Sequence, residues 1–166
     1  PEANASKHPI FPHRHELGHI VVEPNGPLCR CGNIGCLEAL ASGSAMERDA
    51  FHLSGKHVKG EEIFERAQEG VSPYQEVVKR ASGFLGLGLF NLVQIFDPEV
   101  IILGGGVAEA GEWWLEMIRE GYENRFFWTP IIPPLLLGQF RGRASVMGAA
   151  GLPILQKRGE YSQSIY

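Results

Sequence analysis

The chain lacks any apolar run long enough to cross a bilayer. Its most hydrophobic stretch, Phe84 to Phe96, falls about a third short of a span and carries Asn91 and Gln94. It lacks an apolar leader, because its opening residues are polar and proline-rich. It has no initiator methionine and opens on Pro1, which reads as a fragment or a processed piece. It has no basic surplus: 15 Lys and Arg stand against 19 Asp and Glu, a formal charge of −4, so nothing advertises a nucleic-acid or anionic-membrane partner. Internal repeats and low-complexity tracts are missing as well. What is present, 44% hydrophobic and 20% charged residues in a chain of 166, suits one soluble globular domain and excludes disorder as the main state. The 21 glycines and 11 prolines point to many turns and close backbone approaches.

Cysteine is scarce, and its distribution is informative. All three, Cys29, Cys31 and Cys36, lie within eight residues. An odd, tightly clustered set makes a poor disulfide framework, and Cys29 and Cys31 are too close in sequence to bridge easily. Three thiolates on a loop containing Gly32 and Gly35 suit a tetrahedral metal better. His19 supplies an imidazole as fourth ligand, in the spacing His-x9-Cys-x-Cys-x4-Cys, with His15 and His13 as alternatives. A Cys3His set without an open position is a structural zinc site. Deprotonated thiols fit a reducing, cytosolic compartment. The other reading is three buried thiols without metal. His8, His52 and His57 read as solvated loop histidines.

Residues 1–15 read as an extended N-terminal segment and 158–166 as a tail, with the folded body over 16–157. His19 to Glu23, with Ile20, Val21 and Val22, predicts a short strand. Pro24 to Pro27 is a turn and the cysteine loop follows. Cys36 to Ala41 begins a helix that Ser42 and Gly43 interrupt. Ser44 is expected to cap a second helix through about Ala50. After a polar connection over Ser54 to Lys59, Glu61 to Gln68 is helical. Pro73 then opens a long helix to Phe96, apolar almost all round in its second half, where Gly86 and Gly88 permit another backbone to come close. Val100 to Leu103 has the composition of an interior strand. Helices are expected over Gly111–Tyr122 and Ala144–Leu155, with extended chain over Pro130–Leu137. The fold class is α/β, helices packed on a small sheet.

Gly104-Gly105-Gly106 follows the apolar strand directly. In open α/β sheets ligands rest beyond the carboxyl ends of strands, and bare backbone favours close approach there. The triplet is neither Gly-x-Gly-x-x-Gly, since position 109 is Glu, nor a Walker A loop. A tight turn without ligand accounts for these residues equally well. Glu16 and Glu38 flank the proposed metal ligands. A metal-pinned loop would hold both near the imidazole, and convergent acceptors are what a polyol ligand needs. The plainer reading is a pair of solvated or salt-bridged glutamates. Trp113-Trp114 and Phe126-Phe127-Trp128 belong either to an interface or to ordinary core.

Glu16-Leu17-Gly18-His19, then Cys29-Arg30-Cys31-Gly32-Asn33-Ile34-Gly35-Cys36-Leu37-Glu38, resembles the motif of the ROK family of repressors and sugar kinases. The resemblance continues through Phe84 to Phe96, Asp97 to Val107 and Met147-Gly148-Ala149-Ala150. It implies the C-terminal lobe of an actin-like ATPase (ribonuclease H-like) fold. It implies zinc on His19, Cys29, Cys31 and Cys36, sugar hydroxyls on Glu16, His19 and Glu38, and the adenosine side of a nucleotide site along Gly104, Gly105 and Gly106. Sugar kinases of this family also carry an N-terminal lobe with an Asp-x-Gly-Gly phosphate loop, an Asn-Asp pair holding the general base, and a Gly-Thr-Gly loop. None of these occurs in this sequence. The resemblance therefore implies part of a glucokinase-like, ATP- and Mg-dependent hexose kinase, inactive alone, that is cytoplasmic and oligomeric. The alternative it leaves is the sugar-sensing and oligomerisation body of a repressor, the one case in which the whole protein would meet nucleic acid.

Overall fold

A computed structural model of the chain describes residues 16–129 and 131–157. Among the described residues, six helices accompany a pair of strands: α1 Leu37–Ala41, α2 Gly43–Ser54, α3 Gly60–Gln68, α4 Ser72–Phe96, β1 Ile101–Leu103, α5 Gly111–Glu123, β2 Leu135–Leu137 and α6 Ala144–Lys157. Short 3-10 turns cover Leu17–His19, Gly106–Ala110 and Arg141–Arg143. The α/β class is borne out. The expected segments over 1–15 and 158–166, with His8, His13 and His15, lie outside the described residues.

The long helix α4 is the spine. Pro73 sits in its first turn, where a missing N–H leaves nothing unpaired. It stops at Asp97, which takes a left-handed φ of 44° ahead of Pro98. Its buried face, including Tyr74, Val77, Val78, Ala81, Leu89 and Val93, packs against the Trp114, Leu115, Ile118 and Tyr122 stripe of α5. Ile118 is fully buried, and such a side chain contributes about 1.5–3 kcal/mol by leaving water. The two helices touch through glycine: a Cβ on Gly86 would lie 2.7 Å from the Gly121 carbonyl carbon. The expected close approach at Gly86 is thus a backbone contact. At Gly88 the neighbour is instead a side chain, Leu37, whose Cδ2 would stand 2.5 Å from an added Cβ. That notch seats α1 on α4.

β1 and β2 pair in parallel, Ile101 opposite Leu135 and Leu103 opposite Leu137, with α5 as the crossover between them. Ile101 and Leu103 turn towards the core, while Ile102 and Leu136 are exposed. The interior strand expected from composition therefore has one open face, because α5 covers only the other.

Three local expectations are corrected. Ile20 to Val22 form no strand: after the 3-10 turn, Val21 makes a single antiparallel bridge to Cys36. Chain anchored at His19 and bent again at Glu23 has no length for a ladder. Ser42, not Ser44, caps α2, accepting a hydrogen bond from the Ala45 N–H at 3.2 Å. That helix runs on to Ser54, where Gly55 takes a left-handed φ of 70°, so His52 lies on a helix rather than a loop. His57, though exposed, stacks on Phe51 at 4.1 Å.

Candidate metal centre and adjoining cavities

The loop carrying the cysteines folds on its own backbone. Gly26 N–H donates to the Glu23 carbonyl at 2.8 Å, Gly35 N–H to Pro27 at 2.8 Å and Cys29 N–H to Asn33 at 2.7 Å. Gly35 is obligatory here. Its φ is +74°, and a Cβ would fall 1.6 Å from the Glu23 carbonyl oxygen. Gly32 also has positive φ, +91°, but faces open space. The loop returns Cys36 beneath His19 at the start of α1.

His19, Cys29, Cys31 and Cys36 thereby converge, with one potential ligand atom from each lying within 4.8 Å of all the others. Cys29 Sγ is 3.6 Å from His19 Nδ1, and Cys31 Sγ is 3.6 Å from Cys36 Sγ. A zinc tetrahedron with Zn–S near 2.3 Å and Zn–N near 2.0 Å has edges of roughly 3.5–3.8 Å. The donor set and its spacing fit that ion. The thiols' own chemistry points the same way. The Asn33 backbone N–H, as the main cause, draws the Cys31 thiol below its ordinary range. Burial pushes Cys36 up to about 12, reinforced by its hydrogen bonds to Cys31 and Cys29 and their negative charge. Three adjacent thiolates repel one another, and a divalent cation reverses that balance.

The carboxylates stand around the imidazole. Glu16 Oε2 lies 2.9 Å from His19 Nε2, and Glu38 Oε2 lies 3.7 Å from Nδ1. With Nδ1 turned to the sulfurs, Nε2–H donates towards Glu16, an arrangement that fixes both tautomer and ring plane. Gly18 makes room for Glu38: a Cβ there would press on the Glu38 Cβ at 3.3 Å. Both glutamates remain partly solvent-exposed.

Two cavities border the glycine triplet, and one of them reaches this wall. One, of about 250 Å3, is lined by Gly18 and Glu38 on one side and by Leu103, Gly104, Ala108 and Trp114 on the other. A larger one, about 700 Å3, runs from Gly106 and Glu109 to α2 and α3, including Glu47, Lys59 and Phe64. Gly105, between Gly104 and Gly106 in the chain, has a φ of +83°. Spacing along the chain gave no hint that Glu38 and Gly104 border one space. Trp114 was not singled out as a site residue either. It belongs to the core, so the interface reading does not hold for it, yet it also lines the smaller cavity. Its indole Nε1 is buried without a hydrogen-bond partner among the described residues.

Comparison with known proteins agrees with this construction. The ROK family model matches residues 13–155. The chain is 37% identical over 119 residues to a glucokinase of Thermotoga maritima, covering 63% of this chain and 38% of that one. Among solved structures it is similar to a ROK hexokinase from Thermus thermophilus, with TM-score 0.76 and 40% identity over 88% of this chain and 49% of that one. It is similar also to a ROK family glucokinase from Streptomyces griseus in complex with glucose and AMPPNP, with TM-score 0.76 and 33% identity over 82% of this chain and 50% of that one. The chain therefore spans about half the length of those two structures. A match along most of the sequence, the fold and the assembled Cys/His cluster lead to one conclusion: this chain belongs to the ROK family.

Proposed function

We propose that this chain is the C-terminal lobe, facing both sugar and nucleotide, of an ATP-dependent hexose kinase of glucokinase type. The observation that carries the reading is the shared cavity: Glu38, beside the Cys3His cluster, and Gly104, at the end of β1, line the same space. A phosphoryl transfer needs acceptor hydroxyl and donor nucleotide brought together in this way. The named relatives support the class of substrate, since one similar structure holds glucose and an ATP analogue.

Zinc, held by His19, Cys29, Cys31 and Cys36, would act structurally, closing the loop with no position left for substrate. Glu16 and Glu38 accept hydrogen bonds from sugar hydroxyls, and His19, whose Nε2–H holds Glu16 in place, borders the same ligand. Gly104, Gly105 and Gly106 let the adenosine side of ATP rest on bare backbone. The larger cavity beyond Gly106 is lined by Glu47, Glu61, Glu65 and Glu109, with Lys59 as its cation, held 3.6 Å from Glu47. Such a wall suits base and ribose rather than triphosphate. The general base, the phosphate loops and the groups that meet Mg belong to the preceding lobe of the longer kinase.

Calorimetric titration of the zinc-loaded chain with glucose tests this. Weak binding is expected, lost in Glu38→Gln and Glu16→Gln and retained in Glu61→Gln. Binding that survives both losses at the wall, or absence of binding at any glucose concentration, overturns the reading.

A further inference from the structure

The short helix α1 and its cap form a ridge between two cavities. Glu38 and Ser42 stand one helical turn apart on a common line. Both border the cavity of about 250 Å3 that reaches Gly104, and both border a second one of about 200 Å3. Leu37 and Ala41, on one flank of that line, belong to the first cavity alone, while Ala39, on the other flank, belongs to the second alone.

The second cavity carries donors and acceptors together. Arg30, in its lining, is exposed, and its guanidinium makes no ion pair or hydrogen bond among the described residues. Arg48, also in the lining, is held: its Nε and Nη2 donate to Asp49 Oδ1 at 2.8 and 2.6 Å, which fixes the plane of the fork. Ser42 Oγ accepts from the Ala45 N–H and lies 3.0 Å from Ser44 Oγ. One hydroxyl proton lies between the two serines, and the other remains to be donated. Leu28, 72% exposed, adds apolar surface beside them. Charge decides what such a lining takes. Arg30 and Arg48 stand against Glu38 and Asp49, so the signs cancel, and an anion would meet the Glu38 carboxylate. A neutral ligand rich in hydroxyls uses the donors and the acceptor alike and lays its C–H face on the leucine.

We infer that the second cavity is a further sugar subsite, and that the ligand is a disaccharide with one ring against the Glu16, His19 and Glu38 wall and the other beyond the ridge. The two cavities are of similar size, and linked rings placed in them meet Glu38 and Ser42 from either side. Together they fall within the ordinary volume of a small-molecule site, about 300–1,000 Å3. A single hexose at the wall leaves Arg30 and the serine pair without a task. The inference rests on the sugar role proposed for Glu38 and adds to it the class of substrate: a hexose that carries a second glycosyl unit.

Calorimetric titration of the zinc-loaded chain with glucose, maltose, cellobiose, trehalose and inorganic phosphate decides it. At least one disaccharide should bind about tenfold more tightly than glucose, the gain of one or two net hydrogen bonds. Arg30→Ala, and separately Ser44→Ala, should remove most of that gain and leave glucose affinity unchanged, since both residues are exposed and neither lines the first cavity. Zinc content and circular dichroism should match the wild type. Ser44 is no metal ligand's neighbour in sequence, so its variant keeps the test valid if Arg30→Ala disturbs the loop. Glucose binding with no disaccharide tighter overturns the second subsite and leaves the kinase reading standing, whereas no sugar binding at all removes both. A gain that survives both substitutions overturns the subsite as well. So does phosphate that competes with the disaccharide and loses its own binding in Arg30→Ala, which would make the cavity an anion site.

Discussion

Gly32 and Gly35 share a backbone requirement but differ in their surroundings, and the difference can be measured. Both have positive φ, while only Gly35 has a carbonyl oxygen where its Cβ would go. Gly32→Ala should cost about 1 kcal/mol of stability, the strain of a left-handed L residue. Gly35→Ala should cost roughly 3 kcal/mol or more, because the Glu23–Gly26 turn must open as well. Urea unfolding of the zinc-loaded variants reads both, and equal losses would mean that the loop yields. The cysteines make a second test at this scale. One zinc per chain is expected by metal analysis, and Cys31→Ser should shed it and lower the melting temperature by roughly 10 °C or more. A chain that folds equally well without metal would remove the basis for the site. That His19 and the cysteines converge, with the two glutamates beside the imidazole, was legible because a metal site imposes its own spacing on sequence. Trp114 was not, because its importance lies in a neighbour contributed by a distant loop.

Among the elements, those that sequence shows best are those with a long apolar period or an emphatic stop. α4 has Pro73 at one end and Asp97-Pro98 at the other, and α5 carries its buried stripe at helical spacing. Ile20 to Val22 misled because β-branched composition measures preference for extended chain and says nothing of a partner strand. Gly88 misled because a notch in a helix accepts a leucine side chain as readily as a backbone. The seam between α5 and the segment before β2 gives the element-scale prediction. The Tyr122 hydroxyl, in a fully buried residue, donates to the Pro133 carbonyl at 3.1 Å. Burial, with the charge of Glu123 adding to it, pushes the phenol from its ordinary value of 10.0 to about 12. The fold thus prefers neutral tyrosine. Its contribution is complete below pH 10 and is lost as pH rises through 12, where the unfolded chain ionises first. Denaturant midpoints measured at pH 9 and pH 11 should fall in the wild type and fall less in Tyr122→Phe, which gives up about 1 kcal/mol at the lower pH with the lost hydrogen bond. An equal fall in both proteins would place the alkaline sensitivity elsewhere.

For the molecule as a whole, the α/β class was legible because an apolar strand, a glycine stop and a following helix recur in that order. The joining of Glu38 to Gly104 across one cavity was not, since it depends on α1 seating in the Gly88 notch beside β1. That junction explains why this lobe is not expected to turn over substrate by itself. Phosphoryl transfer requires an aligned hydroxyl, a base to take its proton and positive charge around the phosphates. The smaller cavity has no cation among its described lining residues, and in the larger one Lys59 is engaged by Glu47. Glu16 is turned to His19, and Glu38 sits at the rim of the metal cluster; in the proposed function each accepts from a ligand hydroxyl rather than holding a transferred proton. Mixed with ATP, Mg and glucose, the zinc-loaded chain should therefore release ADP at the same rate with and without the sugar, as followed by a coupled assay. Glucose-dependent turnover would mean that base and phosphate contacts are supplied within these 166 residues, and the division of labour between two lobes would have to be abandoned.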